Sequence, residues 1–180
     1  MAGIASYFVK DNNRLIPENK YILKGKTYRF TILTPRLIRL EYNKNGIFED
    51  RATSLVVNRT FNGGTFKITP DENNLIITTE YFTLKYAKEK PLSSSTIKII
   101  VNGTDKEWTI GHRDFRNIGG IGYSLDGLNE KFKLSKGLYS LDGFVAIDDS
   151  KNYVLDNDNF VKREQTTDIY LFVYKTDLGN

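Results

Sequence analysis

From Thr27 to Tyr42 apolar and polar residues alternate with a period of two, and that period constrains the fold more than any other feature of the chain. Tyr28, Phe30 and Ile32 share one face, opposite Arg29 and Thr31. Thr34-Pro35 breaks the run, after which Ile38, Leu40 and Tyr42 alternate against Arg39 and Glu41. Such alternation places one face of a strand on a core and leaves the other half-exposed. The two runs read as a hairpin or as adjacent strands, closed off by Asn45-Gly46. The pattern recurs with Phe66 and Ile68 inward and Lys67 and Thr69 outward, then in Leu75 to Thr79, Tyr81 to Tyr86, Ile97 to Val101, and Trp108 with Ile110. Ile4 to Val9 reads as a first short strand. Ile169, Leu171 and Val173 alternate with Tyr170, Phe172 and Tyr174, so both faces are apolar and the strand belongs inside the core. Ile47 to Arg59 fits no strand pattern and leaves room for one helical turn. About ten short strands with closely spaced turn signals and no long amphipathic helix predict an all-β, antiparallel sandwich or barrel with little helix.

The chain has 180 residues, which suits a single domain over 1–180. Its 11 Tyr and 11 Phe favour strands over helices. The net charge is +4, but Lys and Arg are interspersed with Asp and Glu. The nearest thing to a basic stripe, Lys131 to Lys136 around Phe132, reads as a solvated loop rather than a nucleic-acid surface. With no cysteine the chain has no disulfide, thiolate metal site or cysteine nucleophile. The first residues lack the basic-then-apolar order of a secretory signal. No apolar run approaches the ~20 residues that span a bilayer. The expectation is a cytoplasmic protein without nucleic-acid or membrane partners.

Most site patterns fail when tested. Gly120-Ile121-Gly122 lacks the third glycine of a dinucleotide fingerprint, and no Gly-Lys-Ser or Gly-Lys-Thr follows a glycine loop. Asp156-Asn157-Asp158-Asn159 starts like a calcium loop, but Val161 and Thr167 stand where an EF-hand needs glycine and glutamate. His112 is the lone histidine. It has no nucleophile elbow to serve, cannot supply a multi-histidine metal site, and reads as a turn or surface residue. Asp148 and Asp149 are neighbours, and adjacent strand residues point to opposite faces, so they make a poor acid/base pair. No metal or cofactor is expected.

The remaining feature is the stretch from Asn117 to Ser150, where glycines cluster and Asp-Gly recurs at Asp126-Gly127 and Asp142-Gly143. It is either a loop that holds a polar side chain at the mouth of a cleft or a pair of plain β connections. Gly-Leu-Tyr-Ser-Leu-Asp-Gly-Phe-Val-Ala-Ile-Asp-Asp-Ser, from Gly137 to Ser150, resembles the Gly-Leu-Leu-Ser-Arg-Asp-Gly-Trp-x-x-x-Asp-Asp-Ser pattern of glycoside hydrolase family 31, the α-glucosidase and α-xylosidase family. Asn117 to Gly127 is similar to that family's Asn-Leu-Gly-Gly-Thr-x-Arg-Thr-Leu-Asp-Gly. Tyr28 to Tyr42 resembles its early strand pair, and Phe48 to Ser54 with Asn58-Arg59 also fits. The resemblance runs over nearly the whole chain.

The resemblance implies an N-terminal β-sandwich of galactose-mutarotase-like fold, followed in the parent by a catalytic (β/α)₈ barrel whose motifs do not occur here. It implies a non-catalytic domain of a retaining α-glycosidase that packs on the barrel and lends a loop to the pocket for an α-glucoside or oligosaccharide. By position the sugar-binding carboxylate of that loop is Asp142. Leu141 replaces the family's arginine, so that ion pair is lost, and Phe144 replaces its tryptophan. Asp126, Asp148 and Asp149 match motif positions as well and read as structural. Two other classes stand beside this one. A stand-alone carbohydrate-binding sandwich would want a row of exposed aromatics. An epimerase of the mutarotase type would want more than one histidine.

Overall fold

The structure, a computed structural model, describes residues 15–120, 134–157 and 159–174. Two five-stranded antiparallel sheets form the frame of the molecule. The first takes β1 (Ile22–Lys24), β2 (Tyr28–Thr34), β3 (Leu37–Tyr42), β12 (Thr167–Val173) and β9 (Phe144–Asp148), in that spatial order. The second runs β4 (Lys67–Thr69), β5 (Asn74–Thr78), β6 (Phe82–Ala87), β7 (Ile97–Val101) and β8 (Glu107–Trp108), each strand beside its sequence neighbour. A separate hairpin joins β10 (Val154–Asp156) to β11 (Asn159–Val161).

The inner faces form one core. Phe30, Ile32, Ile38, Leu40, Leu171 and Val173 of the first sheet meet Ile77, Phe82, Leu84, Tyr86, Ile97 and Ile99 of the second. Each such side chain, fully buried, contributes about 1.5–3 kcal/mol. Tyr86 reaches across the gap to Tyr28 and Phe30, with ring centroids 5.1 and 4.9 Å apart. The protein is therefore an all-β sandwich, with two separate sheets rather than a closed barrel. β12 pairs on both sides, with β3 and with β9, as its two apolar faces predict.

Expectation and structure part in four places. The outer face of the first sheet is not half-exposed. Arg29, Thr31, Arg39, Glu41, Asp168 and Tyr170 are all buried there, with the coil from Glu49 to Arg59 lying over them. Register sets Arg29 and Asp168 on either side of Glu41. Arg29 donates to Glu41 through Nε at 2.6 Å and Nη2 at 2.9 Å. Arg39 grips Asp168 in the same two-pronged way, at 2.9 and 2.7 Å, and also lies 3.0 Å from Glu41. Arg163 adds a bond of 3.0 Å to Asp168. Polar groups survive burial only when paired in this manner.

Ile47 to Arg59 forms no helical turn; the short 3₁₀ turn lies instead at Asn19–Tyr21. A helix needs its own carbonyls, and here they are used by arginines. Glu49 O accepts from Arg29 and Arg39, while Asp50 O and Arg51 O accept from Arg59. Ile68 faces the core side opposite Ile77, but β4 is the sheet edge and leaves it 44% exposed. β1, β9, β10 and β11 were not anticipated as strands, and the expected strand at Ile4 to Val9 lies outside the described residues.

Candidate functional site

The glycine-rich stretch is assembled around Asn117. Its Oδ1 accepts from the Gly119 and Gly137 amides at 2.9 and 2.7 Å, and its Nδ2 donates to Gly137 O and to Asp114 Oδ2. One side chain thus ties together two chain segments 20 residues apart. Gly137 is required by close approach, because a Cβ there would sit 2.7 Å from Gly119 O. Asp114 Oδ1 takes a bond of 2.6 Å from the Ser140 hydroxyl, which extends the tie to the next turn.

That turn, Ser140 to Gly143, closes with Gly143 N donating to Ser140 O at 3.2 Å, and leads directly into β9. Gly143 has φ +82°, a conformation that favours glycine. The Tyr174 hydroxyl pins the turn from the end of β12: it accepts from Ser140 N and donates to Ser140 O. Burial pushes the Tyr174 phenol above its ordinary pKa, so it keeps the proton this donation needs.

Asp142 sits at the tip of the turn. Its carboxylate lies 3.6 Å from His112 Nε2 on one oxygen and 3.6 Å from Arg116 Nη1 on the other, and its side chain is 13% exposed. The Arg116 guanidinium attracts the carboxylate, and both distances exceed hydrogen-bond length. Among the described residues nothing donates a hydrogen bond to either Asp142 oxygen. The other aspartates nearby differ. Asp149, wholly buried, accepts from Thr53 and Asn152, and burial raises its pKa. Asp148 caps the Ser150 amide at 2.9 Å through one oxygen. Asp148 and Asp149 point away from each other, as strand geometry requires, and Asp126 lies outside the described residues.

Leu141 stands where the resembled pattern has arginine, and Arg116 approaches the Asp142 carboxylate from an upstream loop, with the His112 ring beside the other oxygen. His112 is in a turn, as expected, but it is half-buried and packs edge-on against Phe144 with centroids 4.9 Å apart. No residue spacing links positions 112 and 116 to 142, so only the folded chain reveals the set. Among the described residues no group of three His, Asp or Glu side chains converges as a metal would need.

Two grooves flank the turn, and Leu138, 72% exposed, forms the ridge between them. One, about 400 Å³, lies on the outer face of the first sheet and is lined almost wholly by apolar side chains, including Leu33, Leu37, Phe61, Val145, Ile147 and Phe172. The other, about 320 Å³, opens between β8 and β9 where the two sheets part. No protein-family model matches the chain, and no curated protein sequence matches it.

Proposed function

We propose that this chain is the non-catalytic N-terminal sandwich of a retaining α-glycosidase and that it lends the Ser140–Gly143 turn to the substrate pocket. The observation that carries the reading is the state of Asp142. The Arg116 guanidinium lies 3.6 Å from one of its oxygens and the His112 ring 3.6 Å from the other, yet its hydrogen-bonding capacity is unused by the described residues. A carboxylate held in that way is ready to accept from sugar hydroxyls. The apolar groove beside it supports the second half of the proposal. Leu55, Phe61, Leu138 and Phe172 remain exposed there, as on a face that another domain covers.

In this reading the barrel supplies the two carboxyl groups of retaining chemistry, about 5–5.5 Å apart, one attacking and one protonating. The chain itself contributes position and binding. A stand-alone carbohydrate-binding sandwich is the second reading. It is favoured by Tyr139, which stacks on Tyr174 at 4.8 Å, with Phe172 5.9 Å beyond.

The reading frame downstream of Asn180 separates the two: a barrel with aspartates at its strand ends supports the first. In the protein encoded by that longer frame, Asp142→Ala and Asp142→Asn should each lower kcat/KM on an aryl α-glucoside by about tenfold to a hundredfold. Hydrolysis by the 180-residue chain alone overturns the proposal. So does full activity in Asp142→Asn alongside a lowered Tm in Asp142→Ala, since the turn would then be the residue's whole role.

A further inference from the structure

The inner face of β9 reads Phe144, Ala146, Asp148, and only Phe144 is buried. Opposite it, β8 is two residues long and ends the second sheet at Trp108. With a small alanine at the centre of one edge strand and no further strand on the other, the core runs out and the sandwich opens. The result is the groove of about 320 Å³, within the range of small-ligand pockets.

Its polar groups fall into two sets. Asp114 and Asn117 are spent on the internal ties described above. The indole N–H of Trp108, the ammonium of Lys136 and one oxygen of Asp148 make no hydrogen bond among the described residues. Donors and an acceptor therefore face the same space beside two aromatic side chains, Trp108 and Phe144.

Charge narrows the class of ligand. Asp114 and Asp148 outnumber Lys136, so the lining is not anion-selective, and the unpartnered polar groups would be left desolvated by a purely hydrocarbon guest. A neutral ring bearing several hydroxyls meets both conditions. We propose that the groove between β8 and β9 binds a neutral pyranose, with Asp148 accepting from its hydroxyls, Lys136 and Trp108 donating, and the aromatic edges packing on its apolar face. The site does not include Asp142 and does not rest on the glycosidase reading.

Trp108 is the single tryptophan of the chain, so its emission reports on the groove. Titration of the 180-residue protein with methyl α-glucopyranoside, glucose, galactose and mannose should give a saturable emission change for at least one of them at millimolar concentration. Saturation-transfer NMR on the same sugars reads binding independently of emission. Asp148→Asn and Lys136→Met, both at exposed positions and each checked for folding by circular dichroism, should weaken binding by about tenfold. Three results overturn the proposal: no saturation transfer to any of the four sugars, binding unchanged in both variants, or tighter binding of glucuronate or glucose 6-phosphate than of the neutral sugars. Because the measurement needs no barrel, its failure leaves the role of Asp142 untouched, and failure of that role leaves the groove standing.

Discussion

Asp168→Asn is the substitution that most directly tests the buried charged layer. Asp168 is fully buried and accepts three charge-assisted hydrogen bonds, two from Arg39 and one from Arg163. Asparagine keeps one acceptor and turns an amide donor toward a guanidinium that can only donate. Removing one partner from a buried ion pair costs about 3–5 kcal/mol, because the remaining charge stays out of water. For a domain of this size each kcal/mol moves the melting temperature by about 2–4 °C, so the expected fall is about 6–20 °C. The comparison is Glu107→Gln. Glu107 pairs with Lys98 at a similar 2.9 Å, but the two side chains are 52% and 51% exposed, and such surface pairs contribute about 0–1 kcal/mol. Thermal melts followed by circular dichroism would measure both. The acid limb adds a second check. Burial alone would raise the Asp168 carboxyl, but Arg39 and Arg163 outweigh it and hold it below the usual aspartate range. Its contribution is therefore complete above the unfolded value of about 3.9 and is lost as pH falls through the lower folded value. Wild type and Asp168→Asn should differ most near neutrality and converge in strong acid. A loss for Asp168→Asn no larger than for Glu107→Gln would refute the reasoning and mean that water reaches this face.

Three further outcomes are expected. Gly137→Ala forces a Cβ against Gly119 backbone that cannot yield, and should cost about 1–3 kcal/mol in urea unfolding. Asn117→Ala removes the tie between the two segments and leaves the Gly119 and Gly137 amides without their acceptor. It should lower stability by about 1–3 kcal/mol and make the 134–143 stretch an early site of limited proteolysis. At Glu89 burial alone would raise the carboxyl, but three hydrogen bonds from Lys26 and Thr27 together outweigh it and hold it below the usual glutamate range. The gap in Tm between wild type and Glu89→Gln should therefore close as pH falls below about 4.3.

The sandwich was legible in the sequence because the inner faces obey a strict period of two: Tyr28, Phe30 and Ile32 could not face water together. The outer face of the first sheet was not legible. Arg39 and Glu41 look the same in a sequence whether they meet solvent or Arg29 and Asp168, and the partner of Arg39 is 129 residues away. The coil that covers them has no periodicity, since its carbonyls serve arginine side chains rather than a ladder or a helix. At the candidate site the turn at Asp142-Gly143 was readable from turn chemistry. His112 and Arg116 were not, because a loop that crosses from one sheet to the other carries no spacing rule. The strand at β9 was obscured by its own irregular face, where Ala146 and Asp148 occupy inward positions that a closed core would give to larger apolar residues.

The two sheets differ in how far apart in the chain their neighbours lie, and this bears on the order in which the molecule is built. The second sheet is a plain meander of consecutive strands from Lys67 to Trp108, each pairing with the one just made. The first sheet inserts β12, made last, between β3, made early, and β9. Local pairings close quickly and distant ones slowly, so during vectorial synthesis the meander can form while β2 and β3 still wait as a hairpin. Until Asp168 emerges, Arg39 has no carboxylate across the strand and β3 presents an open, charge-bearing edge. The charged residues on that edge discourage it from pairing with a foreign strand in the interval. The same arginine that ends as a buried clamp thus begins as a guard on an unfinished sheet.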